Sequence, residues 1–221
     1  MKYRIITIDG PAGAGKTTIS KLLAKRLGCV YVDTGALYRG VAYEITHQKI
    51  DWENDACLAE FLKGLDLNFN RVEDTLLLTS SKKDITPYIR TPEITMLASA
   101  SSAKPRIRAA LLDIQKNIAA SQDAVFEGRD MGTVVFPDAP FKFFLFADLS
   151  VRAKRRYEEM PEAQKDLKKV QQEMEKRDTN DSRRKEAPLM AAPDAVQIDS
   201  SFLTIPKVVD KILDHIQKRE K

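Results

Sequence analysis

An α/β fold is what this sequence predicts: a five-stranded parallel sheet flanked by helices, with a small antiparallel β insert and a charged helical segment. Three observations predict it. The chain opens strand–helix–strand–helix, which calls for crossover connections between parallel strands. The rhythm breaks over residues 65–92 into short strand-like pieces joined by tight polar turns. It resumes after Ala124 with apolar runs dense enough for buried strands. In a chain of 221 residues, that is one core, residues 1–64 and 93–221, with an insert at 65–92.

The first strand is Tyr3 to Ile8, a β-rich run bounded by Asp9 and Gly10. From Lys16 to Leu27 the residues Ile19, Leu22, Leu23 and Leu27 recur at helical spacing, and Gly28 supplies the stop. Cys29 to Gly35 is a strand, followed by a helix from Ala36 to His47 and another from Asp55 to Leu65. Leu65–Asn70, Thr75–Ser80 and Lys82–Ile89 are the antiparallel pieces. Thr91-Pro92-Glu93 starts a helix, with Thr as N-cap and Pro at N1. A second helix opens at Pro105 and runs to about Ala120. Ala124–Gly128 and Lys142–Ala147 are buried strands. From Ser150 to Pro188, 21 of 39 residues are charged, which predicts a solvated helical hairpin. Ala195–Ser200 is the last strand and Ile205–Lys218 the closing amphipathic helix.

Composition narrows the class. With 43% apolar and 31% charged residues, the chain is globular rather than disordered. Its longest apolar run, Phe143 to Ala147, is far short of the roughly 20 residues a membrane helix needs. The opening MKYRIITIDG lacks an h-region and cleavage site, so no secretory signal is expected. Two cysteines without a CxxC exclude a disulfide scaffold and a cysteine-rich zinc module, and fit a cytoplasmic location. The net charge of +4 leaves solubility and a polyanionic partner both open.

Gly10-Pro11-Ala12-Gly13-Ala14-Gly15-Lys16-Thr17, followed by Thr18, matches G-x-x-x-x-G-K-[ST] between a predicted strand and a predicted helix. The glycines permit φ values and a close backbone approach that a Cβ would block. The loop N–H groups form an anion nest, and the helix N-terminus adds positive potential. Lys16 would bridge β- and γ-phosphates, and the Thr17 hydroxyl would ligate Mg²⁺. A nucleoside triphosphate is the ligand this pattern predicts. No N-K-x-D motif marks a GTPase, and Ala124–Gly128 with Glu127 is the nearest approach to the acidic strand end of a motor ATPase.

Ten of the fifteen arginines sit in a few short places: Arg39; Arg106 and Arg108; Arg129; Arg152, Arg155 and Arg156; Arg177, Arg183 and Arg184. They fall near predicted strand ends and helix starts, where open α/β sheets bind ligands. A nucleic-acid binder would show basic residues along one helix face with aromatics interleaved. Arginine's planar fork suits phosphate oxygens. The pattern favours phosphoryl transfer to a small acceptor.

The motifs IDGPAGAGK, DTGALYR (Asp33 to Arg39), EGRDMGTVVFPDA (Glu127 to Ala139) and the stretch from Arg177 to Leu189 resemble those of bacterial cytidylate kinases, within the P-loop nucleoside monophosphate kinases. The resemblance spans essentially the whole chain. It implies a P-loop kinase core, a monophosphate-binding insert at 65–92 and a lid at about 150–188. It also implies transfer of the γ-phosphoryl of ATP to CMP or dCMP with Mg²⁺. By the same resemblance, Arg39 and Arg129 clamp the acceptor phosphate with Arg184 assisting. Thr34, Ser99, Arg108 and Asp130 read cytosine, and Arg177 and Asp181 contact the pentose. Asp33 lies near the acceptor and the waters of the metal, while Arg152, Arg155 and Arg156 sit on the lid over ATP. A monomer acting on free nucleotides, with no stable nucleic-acid partner and no membrane, is expected. The alternatives are a P-loop kinase for another monophosphate such as UMP or AMP, and an ATP-dependent nucleic-acid-binding or switch protein.

A phosphate monoester, with a second pKa of about 6, is mostly dianionic at neutral pH, so it can attack without a general base. What such a transfer must overcome is repulsion between the two phosphate groups. His47, His215, Cys29, Cys57 and Trp52 read as packing or helix-end residues, the two cysteines as small core side chains.

Overall fold

The computed structural model describes residues 2–72, 75–160 and 166–220. Residues 73–74 of the expected hairpin turn and 161–165 of the expected lid lie outside the described residues. In chain order the elements are β1 (Ile5–Asp9), α1 (Lys16–Leu27), β2 (Val30–Asp33), α2 (Thr34–His47), α3 (Asp55–Lys63), β3 (Leu67–Val72), β4 (Thr75–Ser80) and β5 (Lys83–Asp84). Then come α4 (Pro92–Ser101), α5 (Pro105–Ala119), β6 (Ala124–Glu127), a π-helical turn (Met131–Val135), β7 (Phe141–Phe146), α6 (Leu149–Glu158), α7 (Leu167–Arg183), β8 (Val196–Asp199) and α8 (Ile205–Glu220).

A five-stranded parallel sheet runs β2-β6-β1-β7-β8, and a three-stranded antiparallel sheet runs β3-β4-β5. The chain divides into two compact units, residues 1–31 with 119–221, and residues 32–118.

In the first unit every residue of β1 is buried, as befits a strand covered on both faces. Ile6, Ile8, Val125, Phe143 and Leu145 meet Ile19 and Leu23 of α1 and Val208, Val209, Ile212 and Ile216 of α8. The α8 set recurs with helical period, so one stripe faces the sheet. His215 packs edge-on to Phe143 at 5.6 Å between ring centroids. Lys142 of β7 is buried and donates to both Asp194 carboxylate oxygens at 2.9 Å. Helices α6 and α7 share a smaller apolar cluster of Ala153, Val170 and Met174, joined by Ala12.

In the second unit Leu37, Val41 and Ile45 of α2 pack with Ile94 and Ala98 of α4, Ile107 and Leu111 of α5, and Leu67 and Leu78 of the hairpin. Trp52 lies against this core with the Lys104 ammonium over its ring at 5.9 Å.

Several features differ from expectation, among them two boundaries and the burial of one cysteine. Helix α2 begins at Thr34 rather than Ala36, because Asp33 Oδ1 accepts from Ala36 N at 3.1 Å and caps it. Strand β5 keeps two residues, Lys83 and Asp84. Beyond it Thr86 Oγ1 takes the Leu78 N–H at 2.9 Å, and Pro87 has no N–H to extend the ladder. Cys57 is exposed rather than a core residue, since Leu58 is the buried position of α3.

Candidate active site

The loop joining β1 to α1 is shaped by backbone that only glycine tolerates. Gly10, Gly13 and Gly15 have φ of 144°, 74° and 87°. A Cβ on Gly10 would lie 1.9 Å from the Leu145 carbonyl oxygen, so β7 closes that position to any side chain. Helix α1 has no side-chain N-cap. Its first N–H groups therefore face the loop, an arrangement suited to phosphate oxygens.

Lys16 is 4% exposed, and its Nζ donates to Pro11 O at 2.7 Å. Burial, with the charges of Arg129 and Arg177, pushes its pKa down to about 7 against the partial support of Glu127 and Asp9. Next to it the Thr17 hydroxyl donates to Glu127 Oε1 at 2.9 Å, and the Tyr31 phenol donates to Glu127 Oε2 at 2.6 Å. Thr17 and Glu127 thus present hard oxygen donors side by side, a set that suits Mg²⁺ better than a soft metal.

The segment after β6 carries Arg129 and Asp130 into the π turn. Arg129 Nε donates to Asp181 Oδ2 at 3.0 Å, and Arg129 Nη1 donates to Gly128 O at 3.2 Å. Arg184 forms an ion pair with Asp130 at 3.6 Å, and its Nε donates to Ala187 O at 2.6 Å. Burial alone would raise the Asp181 carboxyl, but Arg129, Arg177 and Arg184 outweigh it and hold it below the usual range. Among the sequence-derived residues, Arg129 therefore pairs with Asp181 and Arg184 with Asp130, and the charges of Lys16 and Arg177 act on these groups within the same unit.

The lid arginines part company. Arg152 is buried: its Nε donates to Ala147 O at 2.8 Å, and its Nη1 to Ala12 O at 3.0 Å and Asp178 Oδ2 at 2.6 Å. Arg155 holds Ser200 through its carbonyl and hydroxyl oxygens at 2.6 and 3.3 Å, and Ser200 Oγ donates to Ala14 O at 3.0 Å. Both arginines thereby brace the phosphate loop from behind its carbonyls. Arg156 is exposed and pairs with Glu159 at 3.4 Å.

The second unit holds the other residues. Asp33 Oδ2 accepts from Arg39 Nη2 at 2.7 Å and from Arg90 Nη2 at 2.9 Å. Burial raises the Asp33 carboxyl, yet these two guanidiniums and the Ala36 N–H bring it below the ordinary range. Arg39 is nearly buried, and among the described residues its Nε has no hydrogen-bond partner. Thr34 and Ser99 are buried in α2 and α4, and Arg108 lies 5.7 Å from the Tyr38 ring centroid.

Four residues escaped sequence reasoning as site members. Glu127 was visible as an acid closing a strand and opening the EGRDMGTVVFPDA motif, with no role attached to it. Asp9 was visible as the residue bounding the first strand and as part of the IDGPAGAGK motif, with no role attached to it. Tyr31 and Arg90 gave no local signal, because their partners lie 96 and 57 residues away. Among the described residues no group of three or more His, Cys, Asp or Glu could hold a metal, and no helix is long and apolar enough to cross a membrane.

A family model described as "Cytidylate kinase" matches residues 6–218. A protein named cytidylate kinase from Geobacter sulfurreducens is 44% identical over 219 residues, covering 98% of this chain and 94% of that protein. Another of that name from Fervidobacterium nodosum is 43% identical over 216 residues, covering 97% and 96%. Among solved structures, shikimate kinase from Acinetobacter baumannii superposes with a TM-score of 0.50 at 13% identity, covering 99% of this chain and 95% of that one. At that identity the likeness is one of fold.

Proposed function

Since the chain belongs to the cytidylate kinase family, we propose that it transfers the γ-phosphoryl group of ATP to CMP or dCMP, releasing ADP and CDP or dCDP. Convergence of cations at the phosphate loop carries this conclusion: burial first, and then the charges of Arg129 and Arg177, depress the pKa of Lys16. Three positive groups brought together at such cost suit a polyanion, and phosphoryl transfer between two anions needs that charge.

The loop from Gly10 to Thr18 holds the triphosphate, with Lys16 on its β- and γ-oxygens. Arg39, Arg129 and Arg184 hold the acceptor phosphate, which supplies the attacking oxygen. Thr34, Ser99, Arg108 and Asp130 recognise cytosine, and Arg177 and Asp181 the sugar. A carboxylate at Asp130 accepts from the cytosine amino group, where uracil would present a second acceptor. Thr17 and Glu127 would hold Mg²⁺, with Asp33 reached through water. Bound there, the ion neutralises charge on the triphosphate. Helices α6 and α7 serve as the lid that limits water as a competing acceptor. We place the enzyme in the cytoplasm as a monomer acting on free nucleotides in pyrimidine metabolism.

The test is ADP release with ATP, Mg²⁺ and each monophosphate in turn. CMP and dCMP should stimulate turnover most. Stimulation by UMP or AMP alone would move the acceptor assignment. Stimulation by RNA or DNA alone would overturn the kinase reading.

A further inference from the structure

Asp9 is the last residue of β1, immediately before Gly10, and is 4% exposed. Its Oδ1 accepts from the Met131 N–H at 2.9 Å and its Oδ2 from the Gly132 N–H at 2.8 Å. These are opening N–H groups of the π turn. The turn's own ladder starts further on, from Val134 and Val135 to Asp130 O at 2.9 and 3.2 Å and from Phe136 to Met131 O at 2.7 Å. A helical turn leaves its first N–H groups without internal partners, and here one carboxylate takes two of them. Charge-assisted bonds of this kind are among the stronger ones in a protein.

A second observation concerns how closely the turn sits. A Cβ on Gly132 would lie 3.0 Å from Thr7 Oγ1, 3.3 Å from Lys142 Cδ and 3.4 Å from Asp9 Oδ2. The turn is thus seated directly on β1 and β7, with no room for a side chain between. A carboxylate is costly to bury, and both hydrogen bonds described for Asp9 are to this turn, with Lys16 acting on it only through its charge. The residues just upstream of the turn are Arg129 and Asp130, so the geometry of their backbone depends on where the turn is pinned.

We propose that Asp9 is a positioning residue: by bonding both opening N–H groups of the π turn, it fixes Arg129 and Asp130 against the strand that leads into the phosphate loop. Its effect on the acceptor rests on the function proposed above. The consequence is specific, because Asp9 contributes to acceptor recognition without touching the acceptor.

Asp9→Asn keeps shape and leaves one oxygen to accept, but turns an NH₂ towards the second N–H. The expected result is a rise of about tenfold in KM for CMP, as for loss of one charge-assisted bond, with KM for ATP within about twofold. The preference for CMP over UMP should fall as well. Unchanged KM for CMP and unchanged preference would overturn the proposal. So would an equal rise in both KM values, which would mark Asp9 as a support of the phosphate loop alone. Asp130→Asn is the companion variant: if it leaves the CMP preference intact, the base-reading role of Asp130 fails, and the latch is then judged by hydrogen exchange. In the unmutated protein the Met131 and Gly132 amides should exchange slowly. Exchange as fast as in an open loop would overturn the latch even if Asp9→Asn does not fold.

Discussion

Glu127 shows how one carboxylate can tie several parts together. It accepts from Thr17 and from Tyr31, so the phenol of β2 orients the acid beside the proposed metal ligand. Partners of this kind typically alter metal affinity 10–100-fold. Tyr31→Phe should therefore raise the Mg²⁺ concentration for half-maximal activity by about tenfold, with the CMP KM unchanged, in a Mg²⁺ titration at fixed ATP. Asp9 supplies a pH effect with an unusual sign for an acid. Burial outweighs its two N–H bonds, with Asp130 adding repulsion and Lys16 opposing it, and its pKa rises from 3.8 to about 7. The folded state then holds this proton where the unfolded chain releases it. Its contribution to stability is greatest below the ordinary carboxyl range and declines as pH rises towards about 7. Subtracting the urea-midpoint profile of Asp9→Asn from that of the parent should reveal that decline. A flat difference between about pH 4 and 7 would exclude the raised pKa.

At the scale of elements, the helix pair α6 and α7 contrasts with α1 and α8. Its shared core is Ala153, Val170 and Met174, whereas α1 and α8 bury a continuous stripe against the sheet. Local opening should follow that difference. Amides of α7 should exchange at least tenfold faster than those of α8, and bound ATP should slow them. The phosphate loop is the opposite case. Gly10→Ala would place a methyl 1.9 Å from a backbone oxygen of β7, so it should abolish ATP binding by calorimetry or prevent folding. Legibility followed the same division. The glycine loop, the parallel strands and most helices were readable because their signals are local: spacing, caps and apolar runs. The π turn was not, because its opening bonds come from Asp9, 122 residues away in sequence. The bracing by Arg152 and Arg155 was hidden too, since an arginine bonding loop carbonyls has the same local sequence as one reaching for phosphate.

For the molecule as a whole, two separate apolar cores serve two units, and the lone tryptophan, Trp52, reports on only one of them. ATP at about 100 times its Kd should add about 2.7 kcal/mol to the stability of the state that binds it. Circular dichroism should show that gain as a higher denaturation midpoint. If the units unfold independently, the Trp52 fluorescence transition should move less, and coincident shifts would show a single cooperative transition. The strand order has a further effect, on biosynthesis. β1 is made first yet lies in mid-sheet, paired with β6 from Ala124 onward and with β7 from Phe141 onward. On the ribosome it must stay unpaired until β6 has been translated, so chaperone binding at this buried apolar strand belongs to that interval. A nascent chain arrested before residue 124 would carry the complete phosphate-loop sequence and still be unable to retain ATP.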